Sequence, residues 1–304
     1  MAYIWQISVV QFKENIFLTG VILSGKPQAQ TKPQKKNFRI VLGSYFKKPE
    51  INKRITIISG QNKHETSTDD HGGFSLEMNQ EIATDFKIFA DNEELKIAQS
   101  YPVIFNESGF GISLISDVDD TILVSYTASL WKRVNTLLFT SPGKRRPIGF
   151  TKSLLKAINE QDGRIYYVSK SESNLFGILS SFIQKHDLPS GVLFLTPYLR
   201  FSQLFNPKKG KDYKERIIRS IIDNSPDEKF ILMGDDTQQD IDVYARIAIE
   251  YPSRIFKIYI RKTRKRLLGV IQENQNKLFT LGVSLLYFSD TSDLSKEKAL
   301  LKNN

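Results

Sequence analysis

The sequence predicts two domains, an all-β sandwich followed by an α/β domain with a mostly parallel sheet. The chain has 304 residues, about twice the length of one average domain. Residues 1–105 hold short apolar or β-branched runs separated by Gly, Pro, Asn and Asp, a spacing typical of a sandwich. In residues 106–304 such runs alternate with stretches of helical periodicity, which favours a parallel sheet covered by helices.

Six short runs predict the strands of the first domain. They are Val9–Phe12, Phe17–Leu23, Phe38–Ser44, Arg54–Ser59, Phe74–Glu77 and Phe86–Ala90. Residues 26–36 are polar, basic and poor in helix formers, so we expect a loop there. The Asp- and Gly-rich stretch Thr68–Phe74 resembles a hairpin of transthyretin-like modules, and we expect it to be structural and free of calcium.

The second domain is predicted from strands and helices that alternate. The strands are Ile112–Ser116, Arg164–Val168, Val192–Leu195, Lys229–Met233, Arg254–Ile260 and Val283–Phe288. The helices are Phe150–Ile158, Leu175–Ile183, Lys214–Asp223 and Asp240–Ile249, with further helical stretches around Leu267–Leu278 and Leu294–Leu301. Before Phe150, apolar residues at helical spacing around Trp131 predict an amphipathic helical element, and the basic run Lys144-Arg145-Arg146 follows it.

The amino-acid composition limits which partners, nucleophiles and metal sites this protein can have. The formal net charge is +10, and residues 101–304 hold 30 basic against 22 acidic side chains, which favours anionic partners. The absence of cysteine excludes disulfides, thiolate nucleophiles and cysteine zinc sites, and the three histidines lack ligand spacing. No apolar run reaches the length of a membrane helix, and the first residues lack a signal-peptide pattern. We therefore expect a soluble, cytoplasmic protein.

Two predicted strands run directly into acidic clusters. Asp117-Val118-Asp119-Asp120-Thr121 follows the first strand of the second domain, and Gly234-Asp235-Asp236 follows Lys229–Met233, with Asp240 a few residues further on. Ligands of parallel sheets bind beyond the carboxyl ends of the strands. Carboxylates crowded at that edge repel one another unless a cation lies among them, and oxygen ligands without His or Cys suit Mg²⁺. The sequence therefore predicts a magnesium site.

The spacing within the first cluster indicates phosphoryl transfer. Asp117 and Asp119 are two residues apart just past a strand, so both can project into one pocket. One carboxylate can attack phosphorus as a nucleophile while the other moves a proton to and from the leaving oxygen. The hydroxyl of Thr121 can hold the turn.

These residues also resemble a known group. Asp117–Thr121 matches the DxDxT signature of the haloacid-dehalogenase (HAD) superfamily, and the later features follow in that superfamily's order: the strand-ending Ser169, the helix-opening Lys214, and Asp235 with Asp240 in a GDxxxxD motif. The surrounding sequence resembles the phosphatidate phosphatase catalytic domain of the actin-patch-associated type, whose bacterial members carry a β-rich segment in front. The resemblance covers roughly residues 105–290 and implies a Rossmann-like HAD fold with a small cap between the first acidic cluster and Phe150.

The resemblance implies catalytic roles for five of these residues. Asp117 would be the nucleophile and Asp119 the general acid and base. Ser169 and Thr121 would lie at the substrate phosphate. Lys214 would supply positive charge to that phosphate and to the nucleophile, with Lys211 and Lys209 as alternatives.

The resemblance also implies a set of metal ligands. Asp117, the backbone carbonyl of Asp119 and Asp235 would hold Mg²⁺. Asp240 would either support these ligands or bind Mg²⁺ directly, and Asp236 is the alternative to Asp240 in this role.

Three functions stay open at this level. The first is an Mg²⁺-dependent phosphatase that converts phosphatidate to diacylglycerol through an aspartyl-phosphate. The second keeps this chemistry on a soluble or nucleic-acid phosphoester. The third is a non-catalytic module that binds anionic lipid. The basic run Arg261–Arg266 has two interpretations: it contacts a membrane surface or nucleic acid, or it is a solvated loop after a strand.

Overall fold

The fold divides into two compact units. The computed structural model describes residues 1–25, 43–44, 46–79, 82, 84–109, 111–118, 121–122, 148–198, 212–236, 240–263, 268–289 and 292–302. The first unit comprises Met1–Glu107, Lys170–Phe182 and Leu195–Lys211, and the second comprises Ser108–Ser169, Ile183–Phe194 and Asp212–Asn304. The predicted domain boundary after residue 105 stays a prediction.

The first unit contains two β-sheets. Its strands are β1 (Ala2–Gln11), β2 (Ile16–Ser24), β3 (Arg54–Ser59), β4 (Asn62–Ser67), β5 (Gly73–Met78), β6 (Lys87–Ala90), β7 (Glu93–Glu94), β8 (Lys96–Ile97) and β9 (Ile104–Phe105). One sheet has the order β5-β2-β1-β8 with β9 paired to β1, and the other has the order β4-β3-β6-β7. Inward-facing residues of both sheets, such as Ile4, Leu18, Ile57 and Ile88, form one apolar core.

The strand predictions for this unit differ from the structure in several places. β1 begins at Ala2 and not at the predicted Val9, and the two-residue strands β7, β8 and β9 were not predicted. Gly43 and Ser44 are not in a strand, and the rest of the predicted run, residues 38–42, lies outside the described residues. β4 was not expected from the sequence, because Asn62–Ser67 is polar and mostly exposed on both faces and lacks an apolar alternation. Its backbone pairs in register with β3 instead, so that cross-strand hydrogen bonds define the strand.

The Asp- and Gly-rich turn before β5 is held by its own side chain. One carboxylate oxygen of Asp69 accepts hydrogen bonds from His71 N at 2.7 Å and Gly73 N at 2.9 Å. Gly72 has a positive φ of 73°, and a Cβ there would lie 2.5 Å from the carbonyl oxygen of Ile22. Glycine is therefore required at this position for both reasons.

The second half of the chain contains a six-stranded sheet of order β12-β11-β10-β13-β14-β15. The strands are β10 (Ile112–Ser116), β11 (Ile165–Glu172), β12 (Val192–Thr196), β13 (Lys229–Asp235), β14 (Ile255–Arg261) and β15 (Ser284–Phe288). The helices are α1 (Gly149–Asn159), α2 (Phe176–Lys185), α3 (Tyr213–Asp223), α4 (Asp240–Glu250), α5 (Leu268–Phe279) and α6 (Ser295–Lys302). The α/β prediction is confirmed, because β10 pairs in parallel with β11 and β13, and β14 pairs in parallel with β13 and β15.

The position of β10 in this sheet places the acidic clusters side by side. All five residues of β10 are buried, as expected for a strand with neighbours on both sides and layers on both faces. Ser116 at its carboxyl end is paired with Met233 of β13. The predicted cap, residues 123–147, lies outside the described residues. In the described part of the chain, no helix is both long and apolar enough to cross a membrane.

Candidate active site

The nucleophile candidate Asp117 lies directly beyond β10. Its backbone N–H donates to the carbonyl of Met233 at 2.8 Å, which continues the β10–β13 pairing by one residue. The hydroxyl of Ser116 donates to the carbonyl of Asp117 at 2.7 Å. The Asp117 side chain is buried. These bonds hold the backbone of Asp117 at the carboxyl edge of the sheet, where ligands of parallel sheets bind.

The second acidic cluster is folded tightly at the end of β13. Asp235 ends the strand, Asp240 begins α4, and an Asp240 carboxylate oxygen accepts a hydrogen bond from Asp235 N at 3.3 Å. Gly234 makes this approach possible, because a Cβ there would lie 2.5 Å from Asp240 Oδ2 and 2.9 Å from the Tyr244 ring. Both carboxylates are buried.

Lys214 joins the two clusters. It lies in the first turn of α3, and its ammonium nitrogen is 2.8 Å from Asp117 Oδ1 and 2.6 Å from Asp240 Oδ1. Burial opposes its charged form, but the Asp117 and Asp240 charges outweigh burial and hold the Lys214 pKa well above its ordinary value. Lys214 is therefore a permanently charged bridge between a carboxylate of each cluster.

Tyr244 is a site neighbour that sequence reasoning missed. Its hydroxyl donates to the Met233 carbonyl at 2.9 Å, and its ring lies 5.8 Å from the Lys214 nitrogen. Burial, the largest effect, raises the pKa of Tyr244 well above its ordinary value, so this phenol is a neutral donor. The one available signal was its place at i+4 from Asp240 on the same helical face.

The buried carboxylates fit a metal ion. Asp117, Asp235 and Asp240 each offer a ligand oxygen, and these oxygens lie within 4.8 Å of one another. Lys214 contacts two of these three buried carboxylates, and carboxylates gathered this closely favour a cation among them. An all-oxygen donor set suits a hard divalent ion.

The remaining predicted site residues are placed as follows. Ser169 is buried in β11, two residues beyond Tyr167, which pairs with Ser116. The prediction that Ser169 ends its strand is wrong, because β11 continues to Glu172. Thr121 is also buried, and its carbonyl accepts a hydrogen bond from Thr151 at 3.0 Å. Asp119, Lys209 and Lys211 lie outside the described residues.

Asp236 is not part of the three-carboxylate group. One of its oxygens accepts hydrogen bonds from both the backbone N–H and the hydroxyl of Thr263, the former at 2.8 Å. The residue is buried beside Asp235 but contacts the segment that follows β14.

The comparisons with known proteins cover the part of the chain that contains these residues. Residues 112–262 match the family described as "Phosphatidate phosphatase APP1, catalytic domain". Phosphatidate phosphatase APP1 of Saccharomyces cerevisiae is 30% identical over 168 residues, which are 54% of this chain and 28% of the yeast protein. An uncharacterised protein of Schizosaccharomyces pombe is 24% identical over 213 residues, or 67% of this chain and 34% of that protein.

This chain thus spans about a third of the length of the curated relatives it matches. Among solved structures, a chain of the Pnkp1/Rnl/Hen1 complex aligns with a TM-score of 0.36 and 17% identity over 56% of this chain and 53% of that chain, a likeness too weak to indicate a shared fold. The resemblance of the surrounding sequence to the phosphatidate phosphatase catalytic domain of the actin-patch-associated type is confirmed by the family match and the yeast relative. Residues 112–262 are thus similar to the catalytic domain of APP1-type phosphatidate phosphatases.

Proposed function

We propose that this protein is an Mg²⁺-dependent phosphatase that hydrolyses phosphatidate to diacylglycerol through an aspartyl-phosphate. The observation that carries the proposal is the contact of Lys214 with both Asp117 and Asp240 in a chain that matches the APP1 catalytic domain. A non-catalytic lipid-binding module would gain nothing from several carboxylates buried at its ligand edge.

The proposal includes a finer description of the fold. The sheet order and the position of Asp117 beyond its central strand β10 are compatible with a Rossmann-like HAD domain with a small cap at residues 123–147. The two sheets that share a core in the first unit are compatible with a β-sandwich domain. We propose a cytoplasmic location with peripheral membrane contact.

Asp117 is proposed to carry the covalent step. A carboxylate oxygen of Asp117 forms a bond to phosphorus, the bond from phosphorus to the ester oxygen breaks, and the departing alcohol takes a proton from Asp119. In the second step a water attacks phosphorus and gives its proton to Asp119, and the bond to Asp117 breaks to release inorganic phosphate. The two steps regenerate both carboxyl groups in their starting protonation states.

Lys214 is proposed to act through its fixed charge. Its contacts with Asp117 and Asp240 hold the nucleophile in place. The same ammonium can stabilise negative charge on the phosphoryl oxygens as the bond to Asp117 forms. Hydroxyl donors from Ser169 and Thr121 would orient those oxygens.

Asp117, Asp235 and Asp240 would hold the metal, together with the backbone carbonyl of Asp119. A bound divalent ion would supply charge neutralisation between the carboxylate and the phosphate dianion. The residues themselves are already gathered by Lys214 and Gly234, so the protein provides the site geometry.

Phosphate release from phosphatidate in mixed micelles tests the proposal. We expect release that requires Mg²⁺, stops with EDTA and is lost in Asp117→Asn. Asp242→Asn is the matched control, because Asp242 is an exposed carboxylate on the same helix as Asp240. Release from a soluble aryl phosphate but not from phosphatidate would move the substrate to the soluble or nucleic-acid phosphoesters that the basic second half of the chain also favours.

A further inference from the structure

Arg261 ends β14, and Lys262 and Thr263 follow it. Hydrogen bonds connect this three-residue segment to the chain on both sides of β14. Lys262 N donates to the carbonyl of Phe288 in β15 at 2.8 Å, and Asp236 N donates to the carbonyl of Arg261 at 3.2 Å. Thr263 donates to one carboxylate oxygen of Asp236 through both its backbone N–H and its hydroxyl. A loop that merely leaves a strand does not need side-chain bonds of this kind, so the segment is held in a defined position.

The Asp236 side chain has a structural task of its own. The Asp236 oxygen that accepts both hydrogen bonds from Thr263 faces the segment that follows β14. It also stands outside the group of three carboxylates whose oxygens converge. The contacts favour a positioning residue over the metal ligand that the sequence left open.

The held segment lies at the edge of the sheet that carries the catalytic candidates. Arg261 is paired with Asp235 in the parallel register of β13 and β14, and neighbouring strands are about 4.8 Å apart. Lys262 is exposed one residue further on. The sequence continues with Arg264-Lys265-Arg266, which lie outside the described residues.

We propose that the Asp236–Thr263 contact fixes Lys262 at the rim of the active site as a docking point for an anionic lipid surface. The sign of the charge requires an anionic partner. The choice of a lipid surface rests on the proposed phosphatidate activity, because such a substrate is presented in a negatively charged membrane. Docking places the edge that carries Asp117 and Asp235 against the layer that contains the substrate.

The expected changes in vesicle affinity follow from the electrostatics of a charged membrane surface. A lysine near an anionic surface strengthens binding by about five-fold, and salt screens that attraction. Lys262→Gln should therefore weaken binding about five-fold. Asp236→Ala should weaken it at least as much, since the anchor of the whole segment is lost, whereas Asp236→Asn keeps an acceptor oxygen for Thr263 and should bind normally.

The experiment is sedimentation of the whole protein with vesicles, in EDTA. One set of vesicles is pure phosphatidylcholine, and the other also contains phosphatidylglycerol, which is anionic but is no phosphomonoester. The proteins are wild type, Lys262→Gln, Asp236→Ala, Asp236→Asn, Thr263→Val and the control Lys229→Gln, which removes an exposed lysine at the opposite end of β13. Turnover of a soluble aryl phosphate with Mg²⁺ is measured for each.

The proposal expects binding to the anionic vesicles alone, weakened by salt, by Lys262→Gln, by Asp236→Ala and by Thr263→Val. It expects Lys229→Gln and Asp236→Asn to bind as wild type, and Lys262→Gln to keep its aryl phosphate turnover. Equal binding by wild type and Lys262→Gln overturns it. A parallel filter-binding measurement with single-stranded RNA also overturns it if the protein shows a Lys262-dependent affinity for the RNA and does not bind the vesicles. A normal docking pattern in a protein that releases no phosphate from any substrate would refute the proposed function and leave the docking surface standing.

Discussion

The ammonium of Lys214 lies 2.8 Å from a carboxylate oxygen of Asp117, and both side chains are only 1% exposed. A second carboxylate, that of Asp240, lies 2.6 Å from the same nitrogen. Water cannot compensate for the loss of any member of this group, so the group acts as a unit. The predictions below follow from this unit and from the contacts that surround it.

Lys214→Met should impair both stability and catalysis. Without the ammonium, two buried carboxylates lose their partner, which costs about 3–5 kcal/mol of unfolding free energy in metal-free buffer. Loss of a fixed charge at the phosphoryl group should reduce turnover by about 10²–10³-fold. Urea unfolding in EDTA and phosphate release measure the two effects. Lys229→Gln, which removes an exposed lysine, is the control. If Lys214→Met were as stable and as active as this control, the proposed role of Lys214 between Asp117 and Asp240 would be contradicted.

Gly234→Ala should disturb the site without removing any charged group. The added methyl would lie 2.5 Å from Asp240 Oδ2 and 2.9 Å from the Tyr244 ring, so Asp240 must move. We expect weaker metal binding by calorimetry and turnover lower by about 10-fold or more, since small displacements of positioning groups are costly. Gly149→Ala is the control, because no atom lies within 4 Å of a Cβ there. Unchanged metal affinity in Gly234→Ala would count against Asp240 as a ligand.

The hydrogen bonds of the Glu215 carboxylate should make the free energy of unfolding of this protein depend on pH. Hydrogen bonds from Arg246, the largest effect, together with those from Arg219, lower the pKa of the Glu215 carboxyl below its ordinary value of 4.5. A carboxyl with a lowered folded-state pKa stabilises the fold above the unfolded pKa, and that contribution is lost as the pH falls through the folded value.

Glu215→Gln should therefore reduce the free energy of unfolding by about 1 kcal/mol at pH 7, a modest loss because both arginines are partly exposed. The difference from wild type should shrink as the pH is lowered below 4.5 and disappear once the carboxyl is protonated in the folded state. Denaturant titrations across this range provide the measurement. A difference that grows towards low pH would show that the sign is wrong.

The last helix, α6, should depend on a buried ion pair. Glu297 Oε2 lies 2.7 Å from the Lys257 nitrogen and 2.5 Å from the Tyr259 hydroxyl, both on β14. Glu297→Gln leaves the Lys257 ammonium without its charge partner and should cost about 2–3 kcal/mol of unfolding free energy. Turnover at moderate temperature should stay normal, because these residues do not touch the acidic site. A turnover defect that precedes unfolding would contradict that separation.

The candidate site was largely predictable because its residues follow strand ends. Asp117 and Asp235 come directly after or at the ends of buried strands, and a parallel sheet brings such ends to one edge. The motif order added Lys214, which the structure places against both acidic clusters. The backbone pairing that makes β10 and β13 neighbours was not visible in the sequence.

The parts that were missed depend on contacts between distant residues. The bonds between Asp236 and Thr263 require that β14 pair with β13 in one particular register, which apolar periodicity does not specify. The need for Gly234 arises from the approach of Asp240 and Tyr244, and the strand β4 is defined by its pairing partner because its own residues are polar. Local patterns carry no information of this kind.

Trapping of the phosphorylated enzyme tests the central claim most directly. The protein is mixed with phosphatidate that carries a radiolabelled phosphate, quenched in acid within one turnover and digested. The account predicts label on the peptide that contains Asp117, release of that label by hydroxylamine as for an acyl phosphate, and no label in Asp117→Asn. Label on another residue, or full turnover by Asp117→Asn, would contradict the assignment of Asp117 as the nucleophile.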